Sequence, residues 1–195
     1  MPASLRGGAL KATLPLDRIF LDHPMSDIQF YRQADGAFLL ECKQHVQCKL
    51  EDVFDFFADA NNLEALTPAW LSFRILGSST PKIQAGTTLD YRLSVHGLPL
   101  RWRSLITTWN PPFEFVDEQL SGPYRSWIHQ HLFEETERGV LVTDRVRYKV
   151  FGGALTERLL VRRDLRRIFR FRSETLAELA PRLASFRDRV CIEAY

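Results

Sequence analysis

Apolar and polar positions change their period three times along this chain. From Ala37 to Gln47, AFLLECKQHVQ alternates every second residue, as a half-buried strand does. Glu51 to Ala58, EDVFDFFA, then sets Val53, Phe54 and Phe57 three and four apart, which predicts a short helix. Asn61-Asn62 separates it from a second short helix carrying Leu63 and Leu66, closed by Pro68. After Trp70 the period returns to two. Six strands are predicted: Leu71 to Leu76, Thr87 to His96, Leu100 to Trp109, Phe113 to Leu120, Tyr124 to Glu134 and Val140 to Val150. Turn clusters such as Gly77-Ser78-Ser79, Asn110-Pro111-Pro112 and Ser121-Gly122-Pro123 separate them, and connections this short join antiparallel neighbours. Gly152-Gly153 interrupts the last strand. From Leu155 to about Leu183 the period is helical, with Pro181 compromising the final turn.

Each strand has a more apolar face, which is expected to look at the long helix. It carries Leu89, Tyr91, Leu93 and Val95, then Leu100, Trp102, Ser104 and Ile106, then Phe113, Phe115, Asp117 and Gln119. On the last strand it carries Val142, Asp144, Val146 and Tyr148, opposite Arg145, Arg147 and Lys149. The stretch WIHQHLF puts Trp127, His129, His131 and Phe133 on one face. A two-residue turn at Arg138-Gly139 sets His131 opposite Val146, and a turn tightened by one residue on each side sets it opposite Asp144. Both registers bring the histidines to the face of Asp144 and Tyr148; a bulged three-residue loop would break that parity.

Composition narrows the setting. The chain has 195 residues, 45% hydrophobic, with a formal net charge of +2, which fits one globular domain and does not mark a nucleic-acid binder. Cys42, Cys48 and Cys191 are odd in number and widely spaced, matching neither a disulfide framework nor a zinc motif, so a reducing cytoplasm is expected. No stretch is apolar enough for a membrane span or signal peptide. Residues 1–35 are expected to be a poorly ordered extension, with Met25 an alternative start. The folded domain is expected over residues 36–183, and residues 184–195 as a tail.

The stretches FADANNLEALTPAWLSFRIL (residues 57–76), GPYRSWIHQHLFEET and DRVRY resemble the START-like, or SRPBCC, helix-grip superfamily. That superfamily groups lipid-transfer domains, pollen-allergen-like proteins, polyketide cyclases and the catalytic domain of aromatic-ring oxygenases. The likeness covers roughly residues 36 to 180 and is nearest to a bacterial ligand-binding, polyketide cyclase-like branch. It implies an α+β fold: a curved antiparallel sheet, here of seven strands, wrapped around a long C-terminal helix, with two short helices after the first strand. It also implies a cavity between sheet and helix for a small hydrophobic or amphipathic molecule. Superfamily membership does not imply a reaction.

The expected ligand-binding residues are Tyr91, Trp102, Asp117, Trp127, His129, His131, Asp144, Tyr148 and Arg162. For His129, His131 and Asp144 four roles stay open: a buried polar network, contacts orienting a ligand's polar end, an acid/base pair for cyclisation, dehydration or hydrolysis, and a metal site. The metal role is disfavoured because oxygenase members take iron ligands largely from helices and carry a separate Rieske cluster, for which these cysteines supply no motif. No metal or other cofactor is therefore expected. On the long helix, Leu155, Leu159, Val161, Leu165, Ile168, Phe169, Leu176 and Leu179 make one apolar arc, and Arg163, Arg166, Arg167 and Arg170 a solvated face. Leu160 and Phe171 border that face and leave peripheral contact with an anionic membrane as an alternative.

Overall fold

The computed structural model describes residues 26–192, with side chains through Pro181 and at Leu183. Strands β1 (Asp27–Arg32) and β2 (Phe38–Val46) precede helices α1 (Leu50–Ala58) and α2 (Ala60–Ala65) and a 3₁₀ turn at Ala69–Leu71. A meander follows: β3 (Arg74–Ser78), β4 (Thr88–Val95), β5 (Leu98–Asn110), β6 (Glu114–Ser121), β7 (Ser126–Thr136) and β8 (Gly139–Lys149). Helix α3 (Gly153–Thr156), a π-helical turn (Glu157–Val161) and α4 (Arg162–Ile192) complete the described residues. All strands belong to one antiparallel sheet ordered β1-β2-β8-β7-β6-β5-β4-β3. Thus β2 docks beside the last strand, and α1 and α2 carry the chain across to the far edge.

The sheet has eight strands where the sequence pattern predicts seven. The additional strand, DIQFYR, lies inside the segment expected to be a poorly ordered extension, so the folded unit begins before residue 36. It is short and at an edge, and only Ile28 and Phe30 turn toward the protein, opposite Cys42 and Leu40 of β2. Two apolar residues in six are too few to stand out as a period. The rest of the expected extension, and the alternative start at Met25, lie outside the described residues.

Strand alternation builds the core. Phe38, Leu40, Cys42 and Val46 of β2 and Val140, Val142, Val146 and Tyr148 of β8 are buried on one face and meet α4 through Leu165, Phe169 and Leu176. These side chains form two apolar clusters, one around Trp102, Trp127, Tyr148 and Phe169, the other around Phe54, Phe57, Phe115, Phe133 and Leu176. Along β7, Trp127 belongs to the first and Phe133 to the second, so His129 and His131 sit between them.

Two features of the long helix depart from expectation. It continues through Pro181 to Ile192, across the start of the expected tail, because Leu176 and Ala180 before the proline are buried in the second cluster and Leu183 after it packs against the same cluster, holding the helix on either side of the lost backbone donor. Nearer its start, the π turn inserts an extra residue into the helical repeat, which rotates the preceding residues relative to α4. Leu155 and Leu159, expected on the buried arc, consequently face solvent. Phe113, expected on the inner face, lies in the turn before β6 and is exposed as well.

The β7–β8 hairpin settles the register. Thr136 pairs with Gly139 around a two-residue turn at Glu137-Arg138, and His131 pairs with Asp144, the second of the two alternatives. Gly139 has φ of 97°, and a Cβ there would stand 2.4 Å from the Val46 carbonyl oxygen. Gly139→Ala is therefore expected to destabilise the fold by about 1–3 kcal/mol, the usual cost of a strained non-glycine conformation, read as a lowered urea midpoint with an unchanged m-value.

Candidate functional site

A cavity of about 410 Å³ lies between the concave face of the sheet and α4. Aromatic side chains make about a third of its wall, among them Tyr91 of β4, Trp102 of β5, Phe115 of β6, Trp127 of β7 and Phe169 of α4. The Tyr91 hydroxyl is hydrogen-bonded to Ser104, and burial raises its pKa, with the Asp117 charge adding to the effect, so it remains a neutral phenol. A cluster of titratable groups stands where β6 and β7 pair: Asp117, His129 and His131 line the wall there, and Arg172 reaches it from the helix.

Six of the nine expected residues line this cavity, namely Tyr91, Trp102, Asp117, Trp127, His129 and His131. The other three do not. Asp144 lies behind the imidazoles, in contact with both. Tyr148 is fully buried and donates its hydroxyl to Glu157 Oε1 at 3.0 Å. Arg162 forks onto the same carboxylate, Nε to Oε1 at 2.9 Å and Nη2 to Oε2 at 3.0 Å. Tyr148 and Arg162 thus anchor the start of the helix and leave the cavity wall to others. Their displacement has one cause: the π turn tucks Glu157 inward, and a buried carboxylate requires donors.

Around Asp144 the geometry is close. The His129 Nε2–H donates to Asp144 Oδ1 at 3.0 Å, and its Nδ1 faces Asp117 Oδ2 at 3.7 Å. His131 Nε2 is 3.3 Å from Asp117 Oδ2, while its Nδ1 is 2.9 Å from Asp144 Oδ1 and 3.4 Å from Arg172 Nη2. A proton on Nε2 is donated to Asp117 and leaves Nδ1 to accept from Arg172; a proton on Nδ1 turns to Asp144. His131 therefore has a partner for its proton on either side, and its ring lies on Phe115 with centroids 4.1 Å apart. Arg172 Nη2 donates to Asp144 Oδ1 at 3.5 Å. Its Nε is 3.3 Å from Oδ2 but off line for a hydrogen bond, so charge attraction dominates that contact. The guanidinium lies over Phe57, 4.9 Å from the ring centroid.

These surroundings set the protonation states. Burial opposes the ionised form of Asp144, yet the Arg172 charge and the bonds from His129 and His131 outweigh it and hold the carboxyl well below its usual range. Burial, helped by neighbouring His131, lowers His129 against the pull of Asp144 and Asp117, so that ring is neutral at pH 7. Asp117, His129 and His131 also present three ligand atoms within 4.8 Å of one another, a set with the composition of a metal site. Hydrogen bonding engages three of the four imidazole nitrogens without one.

Arg172 is the principal site residue missing from the sequence-based set. On a helical wheel it falls with Arg158 and Arg162 on or near the apolar arc, apart from Arg163, Arg166, Arg167 and Arg170, and the wheel does not say which of the three on the arc reaches the cavity. The Trp102 indole N–H, at the cavity wall, has no acceptor among the described residues.

A curved antiparallel sheet gripping a long C-terminal helix over an aromatic-lined cavity defines a helix-grip protein. The chain belongs to the polyketide cyclase/dehydrase and lipid transport family, whose model matches residues 46–172. No curated protein matches its sequence. Among solved structures, protein Ms6760 from Mycobacterium smegmatis is 13% identical with a TM-score of 0.58, the match covering 78% of this chain and 97% of that one. Major latex-like protein 151 from Panax ginseng is 12% identical with a TM-score of 0.53, covering 71% and 96%. The di-domain ARO/CYC StfQ of the steffimycin biosynthetic pathway is 18% identical with a TM-score of 0.58, covering 78% of this chain and 52% of that one. At these identities the likeness is one of fold. No helix among the described residues is long and apolar enough to cross a membrane.

Two predictions follow from the Asp144 network. Asp144→Ala leaves two imidazoles and a guanidinium short of a buried partner, and is expected to lower stability by about 1–3 kcal/mol in denaturant titrations, with no change on adding chelator. His129 has a folded-state pKa below its ordinary value of 6.5, so the unfolded chain binds the proton more tightly. Its contribution to stability is thus fully present above pH 6.5 and declines as pH falls below it. Melting temperatures between neutral pH and pH 5 should fall in the natural protein, and the slope should flatten in His129→Gln.

Proposed function

We propose that the chain binds a small, mostly apolar molecule in its cavity and holds the molecule's polar end against Asp117, His129 and His131. The observation that carries this reading is the make-up of the wall: a largely apolar, aromatic-rich space of about 410 Å³ in which a carboxylate and two imidazoles, Asp117, His129 and His131, converge at one place. Such a wall favours a flat, unsaturated body, which the rings of Trp102 and Trp127 can contact face or edge. Asp117 and the imidazoles would then accept or donate to a hydroxyl or carbonyl of the bound molecule. The free indole N–H of Trp102 would gain from an acceptor on the same molecule.

A second reading is acid/base chemistry on that molecule, of the cyclisation or dehydration kind. His131 favours it, because the ring has a carboxylate on each side and lines the cavity, so it can take a proton from a bound substrate and be reset. The fold shared with the ARO/CYC protein StfQ accords with this chemistry without specifying it.

One set of proteins distinguishes the readings. Native mass spectrometry of protein from its own host is expected to reveal a bound small molecule, and its titration back into stripped protein to quench the fluorescence of Trp102 and Trp127. Ile106→Trp, which fills the cavity, should abolish binding, whereas His131→Ala should weaken it. If the bound molecule is converted, His131→Ala should also slow turnover by about 10²–10⁴-fold, the range for loss of a general acid or base. Unchanged binding in Ile106→Trp would refute the cavity as the site.

A further inference from the structure

We propose that the outer face of the π turn and the first half of α4 docks onto an anionic membrane surface, placing the cavity mouth against the bilayer. The first ground is apolar exposure. Phe151, Leu155, Leu159 and Leu160 are 64%, 69%, 61% and 54% exposed, four large apolar side chains within ten residues. Scattered single leucines need no explanation; a contiguous set does. These residues are outward because the buried Glu157, bonded by Tyr148 and Arg162, fixes the π turn that rotates them there. Their exposure is thus built into the helix start.

The second ground is charge. Within α4, residues 163, 166, 167 and 170 recur at the spacing of one helical face, and all are exposed arginines. Together with Arg158 and Arg162 they border a shallow basic groove. Among the described residues, Arg158, Arg163, Arg166, Arg167 and Arg170 are not paired with a carboxylate; Arg166 instead lies over Phe30, and Arg167 over Trp70 at 4.8 Å. Apolar side chains beside an unneutralised basic face match the headgroup and acyl boundary of an anionic bilayer.

The third ground is position. Phe151, Trp70, Thr156 and Asp164 line the cavity, and Phe151 and Trp70 are also exposed, so the mouth opens beside this patch, with Arg167 at its rim. Other occupants match less well. Residues 1–25 carry Arg6, Lys11 and Arg18 against Asp17 and Asp22, and so do not complement a basic face. A second copy would bring arginines against arginines. An acidic protein would supply the charge, but four exposed apolar side chains beside the basic face suit an acyl boundary under anionic headgroups.

Docking does not rest on the ligand-binding reading, and it is measured with empty vesicles. Full-length protein is sedimented with vesicles of phosphatidylcholine alone or with about 30% phosphatidylglycerol, at about 0.1 M and 0.5 M salt. Binding is expected to anionic vesicles and to fall with salt. Arg163→Glu with Arg170→Glu should reduce it by at least about 25-fold, about fivefold for each lost arginine. Leu155→Ser with Leu159→Ser should weaken it at both salt concentrations and leave the salt dependence intact. All four positions are solvent-exposed, and melting curves check that both variants fold. Equal binding to neutral and anionic vesicles, full binding by the serine variant, or no binding by the natural chain would overturn the proposal. So would a dimer in solution that the serine variant converts to monomer, or vesicle binding that appears only once residues 1–25 are removed.

Discussion

The Asp144 carboxylate is the point on which sheet and helix depend together. It is buried on β8, ionised, and shared by His129 and His131 of β7 and by Arg172 of α4. A charge in such a place is tolerated only with partners, and each partner is thereby fixed: the two rings across the strand pair, the guanidinium across the interlayer gap. Ten residues toward the helix start, Arg162 and Tyr148 share Glu157 in a second buried cluster. The pairs Asp144–Arg172 and Tyr148–Glu157 thus tie the helical segment to β8 at two points.

The clamps leave different things behind them. At Asp144 the groups on the inner side, Asp117, His129 and His131, stand between two apolar clusters and cannot join either, so polarity gathers at the wall of the cavity. At Glu157 the helix must widen into a π turn to bring the carboxylate inside, and the leucines around it are turned out. A polar pocket wall and an apolar rim are consequences of the same requirement, that buried charge be met by donors.

Much of the architecture was legible in the chain. Strands β4, β6, β7 and β8 follow from alternation alone, and the pairing of histidines with Asp144 follows from hairpin parity, since every short even register puts them on one face. The resemblance carried by residues 57–76 and by GPYRSWIHQHLFEET pointed to the family that the match over residues 46–172 establishes. Edge strand β1 escaped because six residues with two inward apolar positions carry little signal.

By itself the sequence determined the order of elements, the inward face of each strand, and six cavity-lining residues, because these depend on local period and on neighbours a hairpin apart. Only the tertiary structure decided that Tyr148 and Arg162 serve Glu157, that Arg172 turns inward, and that Leu155 and Leu159 face out. Each of those outcomes turns on a one-residue change in helical phase at the π turn, or on a contact between residues 28 and 41 positions apart, such as Asp144 and His131 with Arg172. A helical wheel assumes a constant 100° per residue along the chain; the need to pair a buried carboxylate breaks that constancy, and it acts only once the helix lies on the sheet.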